Sequence, residues 1–444
     1  MEIAPLPGPR RMFPLPLPGV GWAALLLVLF TAEASALPPL QLYLELTPSG
    51  GSVKLPPGTY AGPATIRKPL TIDGAGEVTI DGQGEGSVLT VEAEGVTLRG
   101  LHITRSGESH DKVDAAILVK ARHAVIEENT IDDSLFGIHL SGGGDHVVRN
   151  NRIRSRNVPV TLRGDAIRLW YSHGNLIEGN HIDSSRDLVF ANSRNNRVIG
   201  NRIRHGRLGM EFVYSPGNRV EGNIIEESEA GITVIYSDDV TLRGNRIHHL
   251  RKLTGSGISI KESYNIDISA NLVTHCAVGL LATAPLEPEN ILYIHHNLFA
   301  FNDTALYFYG EKGNHEIHDN RFHNNFTDVM GSAPRSTRYN RWRKNSWDLY
   351  EGFDLDGDGI GDLPHEVHLF SERLWMDRSM VRLWRGTPAL SLVDYMERLI
   401  PWSEPVLLFA DPEPRMERGP ADLEEGHRQL LESAIESRER DDPE

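Results

Sequence analysis

The sequence contains a single cysteine, Cys276, among its 444 residues. One cysteine cannot form an internal disulfide, which excludes a disulfide framework and also a cysteine-rich zinc module. Aromatic residues make up only 7% of the chain, and 45 Lys and Arg stand against 61 Asp and Glu. The resulting formal charge of −16 argues against nucleic acid or an anionic membrane surface as the main partner.

Long apolar runs are equally scarce, and the one near the N-terminus is short. Arg10 and Arg11 precede an apolar segment that ends at Phe30, and a triplet of small residues ending at Ala36 follows it. This order is typical of a secretory signal peptide, and the run is shorter than the roughly 20 residues that span a bilayer. Residues 1–36 are therefore predicted to be a signal peptide that is cleaved near Ala36. The remaining chain is predicted to lie outside the cytoplasm, with no membrane span.

The sequence is rich in an internal repeat of the form Asn-x-apolar. Its asparagines recur with a period in the low twenties, at Asn129, Asn151, Asn180, Asn201, Asn223, Asn245, Asn271, Asn297 and Asn320. Such a period indicates a solenoid, and the leucine consensus of leucine-rich repeats is absent. Short alternating apolar stretches predict three strands per coil, as in an all-β, right-handed parallel β-helix over residues 37–333. The asparagines are predicted to lie in turns, because Asn tolerates the left-handed conformation and its amide can bond along the stack.

The sequence after the repeat predicts a cover for the open end of the β-helix. Residues 334–410 contain an Asp-rich loop and two predicted helices, one over residues 371–384 and one that starts at Thr387-Pro388. Exposed strand edges at the end of a solenoid need such a cap. Residues 411–444 hold 12 Asp and Glu against 5 Lys and Arg, and they are predicted to form a flexible or loosely helical acidic tail.

Carboxylates at alternate positions in the Asp-rich loop predict a calcium site. The ligands are predicted to be Asp354, Asp356, Asp358 and Asp362, because hard oxygen ligands suit Ca²⁺ and the spacing matches the first part of an EF-hand loop. The twelfth position holds His365 instead of the usual bidentate Glu. The alternative interpretation is an acidic, glycine-rich turn.

Two further residue patterns suggest metal chemistry. Met376 and Met380 lie four residues apart on a predicted helix, and thioethers are soft ligands that suit Cu(I). The alternative is core packing of two methionines. His295 and His318 occupy equivalent outward positions in adjacent predicted coils, where stacked imidazoles could share a metal or remain solvated.

Catalysis on polysaccharides is the main alternative for a β-helix. It requires clustered carboxylates, or Asp with Arg or Lys, at a groove. The acidic candidates Asp183, Asp238 and Asp239 form no recurring group beside a base in the sequence. The protein is therefore predicted not to be an enzyme, with a polysaccharide lyase, hydrolase or epimerase as the alternative.

Several motifs resemble one family across nearly all of the chain after residue 36. They are Leu55–Tyr60, Lys68–Gly74, Gly164–Ser172, Arg186–Val189, the pairs Tyr171-Ser172, Tyr214-Ser215 and Tyr236-Ser237, then Trp347–Asp354, Asp358–Asp362, Arg373–Met380 and Glu397–Pro401. By these motifs the chain resembles the NosD family of periplasmic accessory proteins of nitrous-oxide reductase maturation. The block after Trp347 is the most specific part of the resemblance. The chain departs from several relatives at Val213 and Ile235, where methionine is expected.

The resemblance implies a non-enzymatic role with several partners. These are an ABC transporter (its membrane subunit and its ATPase), a copper lipoprotein chaperone and apo nitrous-oxide reductase. Together they would assemble the copper–sulfur centre of the reductase, with copper handled as Cu(I). Met376 and Met380 match the family's Trp-Met-x-x-x-Met pattern. The chain has no phosphate-binding glycine loop, so the partner ATPase would supply the energy.

Overall fold

The computed structural model describes residues 37–252, 255–283, 289–369, 387–399, 406–416 and 422–441. In these residues, 36 strands form two parallel sheets of 24 and 12 strands, and a further pair is antiparallel. Each coil contributes two strands to the larger sheet and one to the smaller, so the predicted parallel β-helix is confirmed. The predicted signal peptide, residues 1–36, lies outside the described residues.

The strands are short, as the alternating sequence predicts. In chain order they are β1 (Ser52–Val53), β2 (Gly58–Ala61), β3 (Ala64–Ile66), β4 (Thr71–Asp81), β5 (Leu89–Val91), β6 (Thr97–Thr104), β7 (Ala115–Val119), β8 (Val125–Glu127), β9 (Thr130–Ser134), β10 (Phe136–Ser141), β11 (Val147–Arg149), β12 (Arg152–Ser155), β13 (Ile167–Trp170), β14 (Leu176–Glu178), β15 (His181–Asp183), β16 (Leu188–Ala191), β17 (Arg197–Ile199), β18 (Arg202–Arg204), β19 (Leu208–Val213), β20 (Arg219–Glu221), β21 (Ile224–Glu226), β22 (Ala230–Ile235), β23 (Thr241–Arg243), β24 (Arg246–His248), β25 (Ser256–Lys261), β26 (Ile266–Ser269), β27 (Leu272–Thr274), β28 (Val278–Thr283), β29 (Leu292–His295), β30 (Leu298–Ala300), β31 (Thr304–Tyr309), β32 (Glu316–His318), β33 (Arg321–His323), β34 (Val329–Gly331), β35 (Arg341–Arg343), β36 (Ser346–Trp347), β37 (His365–Leu369) and β38 (Val406–Asp411).

Few helices accompany these strands. Within the described residues they are α1 (Leu40–Leu46), α2 (Pro334–Arg338), α3 (Pro388–Leu399) and α4 (Leu423–Asp441), with a 3₁₀ turn at Val160–Leu162. No helix within the described ranges is long and apolar enough to cross a membrane. Helix α1 was not expected from the sequence, and it buries Leu40 and Leu44 at the first coils.

The core consists of apolar columns that run along the stack. Three residues before each repeat asparagine lies one such column, which is fully buried and in register from coil to coil at Val220, Leu242, Ile268, Ile294 and Ile317. Each of these side chains contributes roughly 1.5–3 kcal/mol when buried. The alternation of apolar and polar residues in the sequence therefore places the core correctly.

The repeat asparagines form a continuous hydrogen-bonded ladder in one turn of the coil. The Asn223 side-chain Nδ2 donates to Asn245 Oδ1 at 3.0 Å, and the Asn223 backbone N donates to the same oxygen. The nine predicted asparagines all take part, and Asn345 extends the ladder by one coil. Their amides are buried, so the ladder satisfies donors that water cannot reach.

The left-handed conformation expected for these asparagines belongs instead to the residue before each of them. That position has a positive φ at Glu128, Asn150, Gly179, Gly200, Gly222, Gly244, Ala270, His296, Asp319 and Lys344. The asparagine has an ordinary backbone because its side chain must point into the stack, and the residue before it turns the chain. We call these ten residues the turn column.

The stack of coils continues past residue 333, to Trp347. Strands β35 and β36 pair in parallel with β32 and β33, so Trp342 and Trp347 occupy the inward positions of Ile317 and Phe322. Asp411 on β38 then ends the asparagine ladder, since it accepts hydrogen bonds from the Asn345 backbone N and Nδ2 and from Trp347 Nε1. Tryptophan in place of Ile and Phe hides this last coil from a search for the repeat.

The segment predicted as a flexible or loosely helical acidic tail contains a helix that packs on the coils. Helix α4 buries Leu430 against Leu272, Leu298 and Ala300, and His427 Nε2 lies 2.7 Å from the backbone oxygen of Ala270. The inward residues of α4 fall at helical spacing, but only a few of them are apolar. This sparse pattern is difficult to recognise in an acidic sequence.

Candidate metal centre

Two clusters of three or more potential metal ligands occur in the described part of the chain. One lies on the turn column near the C-terminal end of the stack, and the other is the Asp-rich loop. Both are built by turns, which place polar side chains outside the apolar columns.

The first cluster comprises His296, His318 and Asp319, whose potential ligand atoms all lie within 4.8 Å of one another. His318 ends strand β32 and points outward, whereas His296 and Asp319 occupy the turn column in adjacent coils. The His318 Nδ1 atom lies 2.9 Å from Asp319 Oδ2. We call these three residues the histidine cluster.

A shell of polar side chains surrounds the histidine cluster. His295 Nδ1 lies 2.9 Å from His296 Nδ1, and the other ring nitrogen of His295 lies 3.1 Å from Asp267 Oδ1. The rings of His295 and His318 stack with their centroids 5.1 Å apart, as their register in the sequence predicts. On the far side, Arg415 donates to Asp319 Oδ1 from Nε and Nη2.

The pKa shifts in the histidine cluster favour the protonation states in which His296 and Asp319 can bind a metal ion. Burial lowers the pKa of His296 to about 4, so its imidazole is neutral near pH 7. Burial opposes ionisation of Asp319, but hydrogen bonds from His318 and Arg415 prevail and hold its pKa well below the usual range. The cluster therefore combines neutral imidazole with an ionised carboxylate, the set of donors that binds borderline divalent metals.

A second histidine column lies in another turn and has a different arrangement. His205 lies between two carboxylates, with Nδ1 2.9 Å from Asp183 Oδ1 and Nε2 2.7 Å from Glu227 Oε2. The hydrogen bond to Asp183, aided by that to Glu227, raises the pKa of His205. His249 and His275 stack with ring centroids 4.8 Å apart. Because both nitrogens of His205 face separate acids, His205 forms ion pairs between coils.

The Asp-rich loop brings three of its four predicted calcium ligands together. Asp354, Asp356 and Asp358 have carboxylate oxygens within 4.8 Å of one another. The Asp354 carboxylate accepts hydrogen bonds from the backbone N of Gly357 and Gly359, at 2.7 and 2.9 Å, which fixes the turn. The fourth residue, Asp362, accepts from the Leu355 backbone N at 2.6 Å.

The twelfth position of this loop is not available as a ligand. His365 is largely buried, and its ring stacks on Trp347 with centroids 5.1 Å apart. Burial lowers the pKa of His365 to about 4, so the ring remains neutral. His365 therefore belongs to the cap of the stack.

The predicted copper ligands Met376 and Met380, and the first predicted helix, lie outside the described residues. The second predicted helix is present as α3, which starts at Pro388 as expected. Its apolar residues Leu392, Tyr395, Met396 and Leu399 are between 45% and 63% exposed. Their spacing of three, four and seven residues places them on one helix face. We call this the α3 stripe.

A buried group of acids and bases on the smaller sheet was missed in the sequence. Asp165 is 3% exposed and accepts a hydrogen bond from Arg168, and Asp187 accepts from Arg207 and from the Leu208 backbone N. Burial raises the pKa of Asp165 to about 6. Asp165, Asp187 and Arg207 are separated by 20 or so positions in the chain, so only the stacking of coils brings them together. Asp165 and Asp187 each have a basic partner.

Two residues of the histidine cluster that were not predicted, His296 and Asp319, could have been recognised in the sequence. His296 and Asp319 directly precede ladder asparagines, at a position where four earlier coils have glycine. His-Asn and Asp-Asn at that place therefore mark a departure from the repeat. Arg415 could not be found in this way, because it lies 96 residues from Asp319 in the chain.

Comparisons with known proteins agree with this architecture. The A-module of the mannuronan C-5 epimerase AlgE6 from Azotobacter vinelandii has a TM-score of 0.52 at 15% identity, covering 64% of this chain and 87% of that chain. At this identity the likeness concerns the fold alone, and it defines the chain as a parallel β-helix protein.

Sequence comparisons assign this β-helix to a family. The family model described as periplasmic copper-binding protein (NosD) matches residues 149–352. Relatives named probable ABC transporter binding protein NosD are 34% identical in Pseudomonas aeruginosa and 31% identical in Stutzerimonas stutzeri. Each alignment covers 85% of this chain, and 91% and 90% of the relatives respectively. The chain belongs to the NosD family, as the sequence motifs predicted.

Proposed function

We propose that the protein is a periplasmic, non-enzymatic accessory protein of an ABC transporter, and that it helps to assemble the copper–sulfur centre of nitrous-oxide reductase. The observation that carries this proposal is the near full-length match to relatives named as ABC transporter binding proteins. The description of the family as copper-binding supports the copper part. In this role the β-helix provides a rigid surface on which a copper lipoprotein chaperone and apo nitrous-oxide reductase meet the transporter.

The α3 stripe is the proposed contact with the membrane subunit of the transporter. A helix that exposes Leu392, Tyr395, Met396 and Leu399 on one face is suited to pack on another apolar surface. Helix α3 also belongs to the region that follows the last coil, where the sequence predicts the docking segment.

The docking proposal is tested by binding of the exported protein to the purified transporter in detergent. Leu392→Glu combined with Leu399→Glu places two charges on the stripe and is expected to weaken binding by about a hundredfold. Arg219→Glu, which changes the charge at an exposed position of β20 away from the α3 stripe, is the control. Equal affinities of the wild type and the double variant would place the contact elsewhere.

Copper handling is proposed at Met376 and Met380, since two thioethers four residues apart on a predicted helix suit Cu(I). The test is a titration of the exported protein with Cu(I) against a competing chelator. Met376→Leu with Met380→Leu is expected to lower the affinity by about a hundredfold, whereas Met396→Leu serves as the control. Unchanged affinity in the double variant would remove the two residues from the site.

Calcium binding is proposed at Asp354, Asp356, Asp358 and Asp362. The three clustered carboxylates supply oxygen ligands, and backbone oxygens of the loop or water would complete the coordination. Added Ca²⁺ is expected to raise the melting temperature of the wild type and not that of Asp356→Asn combined with Asp358→Asn. Exposed Asp303→Asn is the control, and a Ca²⁺ effect retained in the double variant would contradict the site.

One observation favours the alternative of a carbohydrate-active β-helix. Asp165, whose pKa burial raises to about 6, lies just before β13 of the smaller sheet and accepts a hydrogen bond from Arg168 on that strand. A carboxyl group with a raised pKa beside a basic side chain is an arrangement found in sites of general acid–base catalysis. Turnover of uronate polymers that is lost in Asp165→Asn would support this alternative, and its absence is expected because Asp165 and Asp187 already bind Arg168 and Arg207.

A further inference from the structure

We propose that the histidine cluster is a binding site for a borderline divalent ion, Cu²⁺ or Zn²⁺, with His296, His318 and Asp319 as ligands. This site is separate from the thioether pair proposed for Cu(I), and it stands whether or not those methionines bind copper. The donors are two imidazole nitrogens and one carboxylate oxygen, which suit Cu²⁺ and Zn²⁺ better than Ca²⁺ or Cu⁺.

The geometry requires only small side-chain movements for a shared ion. In a tetrahedral site with ligands at 2.0–2.1 Å from the metal, the ligand atoms lie about 3.4 Å apart. Here they are all within 4.8 Å of one another, and His318 Nδ1 is already 2.9 Å from Asp319 Oδ2. The backbone positions are fixed by the parallel pairing of β29 with β32, so rotations about side-chain bonds are sufficient.

The surrounding contacts supply an ordered outer shell. Asp267 lies 3.1 Å from one nitrogen of His295, whose other nitrogen faces His296 Nδ1 at 2.9 Å. With the His295 proton on the side of Asp267, His296 Nδ1 donates to His295 and His296 Nε2 keeps its lone pair for a metal. A carboxylate that orients a histidine in this way is a common feature of metal sites.

Arg415 holds the third ligand in place from the opposite side. It donates to Asp319 Oδ1, while the other oxygen, Oδ2, faces the histidines. Arg415 lies in the short segment after β38, and Asp411 at the end of β38 ends the asparagine ladder. The outer shell is therefore built by the last coils together with the segment that covers them.

The choice of residues in the turn column supports a role in binding. The left-handed position is glycine in four consecutive coils, at Gly179, Gly200, Gly222 and Gly244, but it is His296 and then Asp319 farther along. A non-glycine residue with φ near +55° is strained by about 1 kcal/mol or more. Ala270 and Lys344 have the same conformation, so the strain alone does not mark a site. What distinguishes His296 and Asp319 is that two metal-binding residue types occupy this position in consecutive coils, beside His318.

The test is metal binding to the exported full-length protein by calorimetry, with Zn²⁺, Cu²⁺ and Cu⁺ each added alone. We expect one divalent ion per chain at this site. His296→Gln, His318→Gln and Asp319→Asn should each weaken its binding by about a hundredfold, and Asp267→Asn by about tenfold. His181→Gln, at an exposed histidine of β15, is the matched control.

A spectroscopic measurement on the wild type keeps the test independent of variant stability. Bound Cu²⁺ should give an electron paramagnetic resonance spectrum with coupling to two imidazole nitrogens. Divalent binding that survives Met376→Leu with Met380→Leu supports this site even if the Cu(I) proposal fails. Absence of divalent binding, or binding that none of the three ligand variants weakens, would overturn it.

Discussion

The turn column differs between the middle and the last coils of the same stack. From Gly179 to Gly244 the residue before each ladder asparagine is glycine, whereas from His296 to Lys344 it is a charged or titratable side chain. The ladder asparagine beside it is the same in both regions and is buried in both. The inner side of the turn therefore maintains the fold along the whole stack, and the outer side is free to acquire chemistry near one end.

The largest loss of stability is expected from removing an asparagine of the ladder, which both regions share. Asn245→Ala removes Oδ1, which accepts from Asn223 N and Nδ2, and also Nδ2, which donates to Val220 O and Asn271 Oδ1. Several buried polar groups then lack partners, at about 1–3 kcal/mol each. We expect the free energy of unfolding, measured by chemical denaturation, to fall by about 3 kcal/mol or more.

The control for this substitution lies on the adjacent coil. Arg219→Ala removes an exposed side chain of β20 and is expected to change the free energy of unfolding by less than about 0.5 kcal/mol. Equal losses in the two variants would mean that the ladder contributes no more than ordinary surface packing.

A smaller effect, of about 2 kcal/mol, is expected from a half-buried acid in the last coils. Burial raises the pKa of Asp328 to about 6, above its unfolded value near 4. The folded state therefore binds this proton more tightly, so the contribution is present below about pH 4 and is lost as the pH rises through about 6. Asp328→Asn should be more stable than the wild type at pH 7.5 and similar to it at pH 4, as measured by denaturation at both values.

The pH dependence of a second variant shows whether burial is the cause. Asp303 is exposed in the same region of the stack, and Asp303→Asn is expected to give the same stability difference between pH 4 and pH 7.5 as the wild type. If Asp328→Asn also leaves that difference unchanged, Asp328 does not titrate near pH 6 in the folded protein.

The sequence predicts the asparagine ladder and the buried columns, which the two regions share, better than the turn-column contacts in which they differ. The Asn-x-apolar spacing and the buried columns follow from a repeat that each coil obeys, so the fold could be predicted from local pattern alone. The histidine cluster combines His296 and His318 from different coils with Arg415 from beyond the stack. Such contacts depend on register across 22 to 96 residues, and the pattern hides them because neither His296 nor Asp319 belongs to the repeat consensus.

In the middle coils, the effect of a side chain at the turn column can be measured alone. Gly222 has a φ of +63°, and an added Cβ would meet no atom within 4 Å, so only the backbone opposes a substitution. Gly222→Ala is expected to lower the free energy of unfolding by about 1 kcal/mol. Gly222→Asn should cost less, since Asn tolerates this conformation, and a loss as large as that of Asn245→Ala would mean that the outer side of the turn is also structural.

The reverse substitution in the last coils should have the smallest effect on stability. His296→Gly relieves a strained φ of +55°, which favours the folded state. It also removes the contact with His295 and increases the conformational entropy of the unfolded chain, and both of these changes disfavour folding. These terms oppose one another, so the free energy of unfolding should stay within about 1 kcal/mol of the wild type while divalent metal binding is lost. A loss of several kcal/mol would show that His296 stabilises the fold as the ladder asparagines do, and the two regions would then differ in sequence but not in role.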